Sequence, residues 1–94
     1  MKIHWSQRAR KDMLELKAYI AKDSPHYALQ FTQRIIASAE RLCDFPLLGH
    51  HVPEAKQNNM REIIYQGYRI IYTISHNTIH IVTVVHGARH IMGL

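Results

Sequence analysis

Residues 2 to 5, Lys-Ile-His-Trp, alternate polar and apolar and lead into Ser6, a good helix N-cap type. That order predicts a short strand running straight into a helix. Beyond it Ala9, Met13, Leu16 and Ile20 recur at steps of four, three and four. The spacing marks one face of an amphipathic helix over about residues 7 to 22, with Leu14 and Tyr19 flanking the stripe. Lys22-Asp23-Ser24-Pro25 interrupts it, because proline suits only the first turn of a helix and Ser24 stands ahead of it as N-cap. In the second helix Ala28, Phe31, Ile35 and Leu42 share a face beside Thr32 and Ala39, and the pattern stops near Asp44, ahead of Pro46. Two helices so closely joined predict an antiparallel hairpin.

Residues 45 to 59 hold Pro46, Gly49, Pro53 and Asn58-Asn59 with little periodicity, and read as a loop wrapping one end of the domain. Then β-branched and aromatic residues dominate: Met60 to Tyr65, Tyr68 to Ser75 and Thr78 to Val85, separated by Gln66-Gly67 and His76-Asn77. These predict three strands joined by tight hairpin turns. The expected fold is α+β in the order β-α-α-β-β-β, a helical hairpin packed on an antiparallel sheet that ends in a three-stranded meander. The middle strand of the meander places Tyr68, Ile70, Tyr72 and Ile74 on one face and Arg69, Ile71 and Thr73 on the other. Both faces are partly apolar, so the pattern leaves open which one is buried.

Ninety-four residues bound this to a single domain over residues 1 to 94, and 47% hydrophobic residues are enough for a core. With no apolar run long enough to span a bilayer and no apolar signal segment, a cytoplasmic protein without membrane partners is expected. The single cysteine, Cys43, is expected as a buried small hydrophobe. Twelve Lys and Arg against seven Asp and Glu give a net charge of +5 and favour acidic partners, either nucleic acid or an acidic protein surface.

Eight histidines raise the question of a metal site, since His76 and His80, and His86 and His90, are four residues apart. That spacing serves ligands on a helix, whereas His76 and His80 straddle a predicted turn, so no metal or cofactor is expected. Tyr65, Tyr68 and Tyr72 are the types that stack on bases, but the isoleucines around Tyr72 favour a core position. Trp5 is expected as a core anchor. Arg61, Arg69 and Arg89 are the cations of the C-terminal third; for Arg61 and Arg69 surface ion pairs with carboxylates such as Glu62, Asp12 or Glu15 stand beside a role in a site, whereas Arg89, past the last strand, is read as functional.

Marks along nearly the whole chain resemble the RelE/ParE superfamily of toxins. They are Trp5-Ser6, Asp12-Met13, Tyr19-Ile20-Ala21, Asp23-Ser24-Pro25, Phe45-Pro46, Val52-Pro53-Glu54, Met60-Arg61-Glu62, Gly67-Tyr68-Arg69-Ile70-Ile71-Tyr72 and His86-Gly87-Ala88-Arg89. The resemblance implies the toxin half of a toxin-antitoxin pair, neutralised by a cognate antitoxin. RelE-like relatives cut messenger RNA at the ribosome, whereas ParE-like relatives poison DNA gyrase. Arg69 and Arg89 match two arginines of the RelE-like nuclease pattern. Arg61 and His86 are candidates for a further cation and a proton-transfer group. Met60 and Glu62, however, stand where RelE carries lysines, and no tyrosine follows Tyr72. The reading closer to ParE is therefore preferred: gyrase as partner, through a patch of Arg89, His86, Ile91 and Met92, with a ribonuclease acting on ribosome and mRNA, or a nucleic-acid-binding remnant that has lost toxicity, as the alternatives.

Overall fold

The computed structural model describes residues 1–56, 59–89 and 91. Strand β1 (Lys2–Trp5) opens the chain, followed by helices α1 (Gln7–Ala21) and α2 (Pro25–Glu40), which runs into a single 3-10 turn at Arg41–Cys43. Strands β2 (His50–His51), β3 (Arg61–Tyr65), β4 (Tyr68–Ser75) and β5 (Thr78–His86) complete it. The predicted helical caps are in place. Ser6 Oγ accepts from the Ala9 N–H at 2.9 Å and donates to the Val82 carbonyl at 2.7 Å, so it starts α1 and ties it to the sheet. Ser24 Oγ accepts from Tyr27 N–H at 3.1 Å, with Pro25 in the first turn.

The sheet has five strands in the order β1-β5-β4-β3-β2. The meander is present, with both hairpin turns built from residues at positive φ: Gln66 at 48° and Gly67 at 82°, then His76 at 52° and Asn77 at 55°. Two features depart from the expected antiparallel sheet and the expected loop over residues 45 to 59. β1 pairs with β5 in parallel, from Lys2 opposite Thr78 to Trp5 opposite Ile81. Within the stretch read as loop, His50 and His51 add a short antiparallel strand opposite Glu62 and Arg61.

The helices cover one face of the sheet, where Ala9, Leu16, Phe31 and Ile35 meet Ile70, Tyr72, Ile79 and Ile81. Trp5, Met13 and Ile20 are partly buried against this core. The other face carries a second cluster, Val52, Ile71, Val85 and Ile91, with Met60 and Val82 against it. Both faces are thus used, because the loop before β3 folds back over the face the helices leave open. A bulge makes this possible: Ile71 lies opposite Thr83 but Tyr72 opposite Ile81, so Val82 is the extra residue on β5. The alternation shifts there, and Val84, two residues past Val82, rejoins Ile79 and Ile81 in the helix-facing core. Asp12 of α1 satisfies the bulge, accepting from the Val84 N–H at 3.0 Å and from the Thr83 hydroxyl.

The packing corrects the reading of Cys43, which is half-buried in the 3-10 turn rather than enclosed. Leu14 and Tyr19 flank the α1 stripe on its exposed side, at 70% and 68% exposure.

Candidate functional site

Arg69, a candidate active-site cation, lies on the sheet face away from the helices and is buried. Its guanidinium holds Glu54 in a two-pronged pair, Nη1 to Oε2 at 2.6 Å and Nη2 to Oε1 at 2.7 Å, and its Nε donates to Glu62 Oε1 at 2.7 Å. Arg69 holds the Glu54 carboxyl down at about 2, chiefly by these hydrogen bonds, and its own proton is held more tightly than usual by Glu54 and then Glu62. The clamp fastens the loop carrying Val52 and Glu54 over the second core cluster. Two carboxylates on one guanidinium leave a net negative charge, so Arg69 does not present a cation to a ligand.

Arg61 also has a structural occupation. Its Nη1 donates to the Gly49 carbonyl at 2.6 Å, beside β2. The expected surface pairs with Asp12 or Glu15 do not form: Asp12 serves the bulge, Glu15 lies 3.9 Å from Lys11, and Glu62 belongs to Arg69. Arg61 lies opposite Tyr72, midway along β4, while His86 lies opposite Tyr68 at its first residue. Four residues of strand put roughly 13 Å between those positions. The four sequence candidates therefore do not converge.

His86 and Arg89 do come together. They line a groove of about 230 Å³ with Asp12, Glu15, Tyr19 and Tyr68. The turn that carries them is pinned by the Gly87 N–H donating to the Gly67 carbonyl at 2.6 Å and the Arg89 N–H donating to the His86 carbonyl at 3.0 Å. A Cβ on Gly87 would stand 2.9 Å from the Gly67 oxygen, which explains glycine there. The His86 ring meets Tyr68 edge to face with centroids 5.4 Å apart, and its Nδ1 accepts from the Ala88 N–H at 3.3 Å. With Nδ1 so used, the neutral ring carries its proton on Nε2. Both His86 and Arg89 are exposed. Ile91, expected in the same patch, is instead 4% exposed in the second cluster, so its side chain packs inward. Met92 and His90 lie outside the described residues.

A larger groove of about 600 Å³ runs between β1 and the helical hairpin. Its floor is apolar, with Ile3, Trp5, Met13, Leu14 and Ile36, and Arg10 and Lys17 line it as well. Sequence reading placed Trp5 and Met13 with the core but could not show that the gap beside them stays open. Among the described residues no three His, Cys, Asp or Glu side chains gather as a metal-binding group. No described helix is long and apolar enough to cross a membrane.

The sequence model of the family described as the ParE toxin of the type II toxin-antitoxin system, parDE, matches residues 3–91. A protein named toxin Y4kP, from Sinorhizobium fredii, is 32% identical over 87 residues, covering 90% of this chain and 86% of the relative. Toxin RelE2 of Caulobacter vibrioides is 29% identical over 86 residues, covering 90% and 93%. Among solved structures, a chain of the chromosomal ParDE system from P. aeruginosa superposes with a TM-score of 0.77 at 18% identity, over 92% of this chain and 95% of that one. A chain of the RelBE2 toxin-antitoxin complex from Mycobacterium tuberculosis gives 0.61 at 20% identity, over 90% and 95%.

Proposed function

Since this chain belongs to the ParE toxin family of type II toxin-antitoxin systems, we propose that it disables DNA gyrase by protein-protein contact and does not cut RNA. The observation that carries this reading is the enclosure of Arg69 between Glu54 and Glu62. Metal-free RNA cleavage needs cations aimed at the charge that develops on the phosphate. Here one such cation is neutralised and buried, and another, Arg61, is bonded to the Gly49 carbonyl opposite the middle of β4, away from His86. That leaves Arg89 and His86. A binding surface needs no convergent set, and an arginine beside exposed tyrosine has the composition of an interface hot spot.

Arg89→Ala is expected to weaken the contact by about 2 kcal/mol, roughly 30-fold in affinity, and to reduce toxicity in proportion. The deciding experiment runs supercoiling by purified gyrase in parallel with cleavage of ribosome-bound messenger. Blocked supercoiling with intact message is the expected result. Cuts in the message with normal supercoiling would overturn the reading and make His86 the first catalytic candidate.

The toxin role brings an antitoxin partner, and we place its docking in the apolar groove between β1 and the helical hairpin. Apolar side chains there with Arg10 and Lys17 beside them suit an amphipathic segment bearing acidic residues. Leu14 is 70% exposed, so Leu14→Asp should leave the fold intact. On co-expression with the neighbouring antitoxin, the variant is expected to lose at least about tenfold in affinity, the cost of roughly 1.4 kcal/mol, and to remain toxic. Undiminished co-purification would place the antitoxin elsewhere.

A further inference from the structure

We propose that His4 and His80 form a two-imidazole site for a divalent cation of the zinc, nickel or copper class, stapling the edge strand β1 to β5. The parallel register sets the two residues directly opposite one another. Ile3, Trp5, Ile79 and Ile81, their neighbours along the strands, pack toward the helices. Alternation therefore sends both imidazoles to the other face. The rings lie with centroids 5.8 Å apart and planes at 66°. Zinc-nitrogen bonds of about 2.0–2.1 Å put a ring centre about 3.2 Å from the metal, so two rings sharing one ion have centres roughly 5 to 6 Å apart.

A second observation points the same way. His80 Nε2 is buried and has no hydrogen-bond partner among the described residues. Buried polar atoms nearly always have one, and an ion is among the ordinary explanations when they do not. An edge-to-face ring contact alone accounts for the packing but leaves that nitrogen unanswered. His4 is exposed, which gives an ion access from solvent and leaves room for water in the remaining coordination positions. Imidazole donors select zinc, nickel or copper over magnesium. Lys2 shares the face two residues from His4 and opposes a cation, so a modest affinity follows. None of this depends on the toxin's target.

The test uses the untagged full chain, titrated with zinc and separately with magnesium, and followed by nitrogen-proton spectra of the histidine rings and by thermal melting. The ring signals of His4 and His80 are expected to move together with one equivalent of zinc, with a rise in melting temperature, and magnesium should do neither. His4→Gln and His80→Gln should each weaken zinc binding at least tenfold, while a variant with both His50→Gln and His51→Gln binds like the parent. Because His4 is exposed, its variant keeps the test valid should the His80 variant fail to fold. Binding undiminished in His4→Gln, or abolished by the His50 and His51 changes, overturns the proposal, as does the absence of any shift at His4 and His80 in excess zinc.

Discussion

Replacing Arg69 by methionine should destabilise the domain by about 3–5 kcal/mol at neutral pH, the typical result of removing one partner from a buried ion pair. The side chains of Arg69, Glu54 and Glu62 are only 7%, 13% and 9% exposed, so the two carboxylates cannot exchange the lost guanidinium for full hydration. For a domain of this size such a loss is a large part of the total stability, and melting should fall by tens of degrees. The pH dependence identifies the cause. Glu54 titrates at about 2 in the fold against an ordinary value of 4.5, so its contribution is complete above 4.5 and is lost as pH falls toward 2. Arg69 is the largest cause of that shift, and the gap between parent and variant should therefore narrow across the same window. Urea unfolding of both proteins at several pH values measures it. A gap that stays constant down to pH 2 would assign the loss to packing. Changing all three residues to apolar ones of similar volume should restore most of the stability, because such a cluster costs much to desolvate.

Tyr72→Ala is expected to cost about 3–5 kcal/mol, as for other large buried aromatics. Tyr72 is fully buried at the centre of β4, and its hydroxyl donates to the Pro46 carbonyl at 2.7 Å and accepts from the Gly49 N–H at 2.9 Å. Burial also pushes its phenol above the usual tyrosine range, so it stays a neutral donor. The loop fits closely against the ring. A Cβ at Gly49 would lie 2.8 Å from the ring and 2.6 Å from the Glu62 carbonyl oxygen, so only glycine allows the approach. Tyr72→Phe separates the two contributions. It keeps the ring, strands two backbone groups and should cost about 1–3 kcal/mol. Hydrogen exchange at the Gly49 amide gives the local readout, slow in the parent and fast in the phenylalanine variant. Equal stability of that variant and the parent would show that the hydroxyl contacts contribute nothing net.

Local signals carried most of the secondary structure. Ser6 and Ser24 precede their helices because a hydroxyl at that position satisfies an N–H of the first turn. Gln66-Gly67 and His76-Asn77 were legible as hairpin turns because two intervening residues between β-rich runs leave the chain little other way to reverse. The stripe of Ala9, Met13, Leu16 and Ile20 and the alternation along β4 reported which side chains share a face. The ordered marks from Trp5 to Arg89 identified the family, which the match over residues 3–91 shows.

The candidate site was less legible, since what decides it is contact between residues distant in sequence. Arg69 reads as a free cation because nothing in its neighbourhood along the chain announces Glu54, 15 residues away, as its partner. Ile91 reads as a surface residue because the second cluster exists only once the loop after β2 folds over the sheet. The sequence by itself determined the elements other than β2, their caps and turns and the buried stripe of each helix, all consequences of dihedral preference and short-range periodicity, while its ordered marks carried the resemblance to the family. Only the tertiary structure decided that β1 runs parallel beside β5, that the Val82 bulge reassigns the faces of β5, and that Arg69 is enclosed while Arg89 is left exposed. Those outcomes depend on which distant groups meet, and the balance of desolvation and pairing between them has no trace in a local pattern.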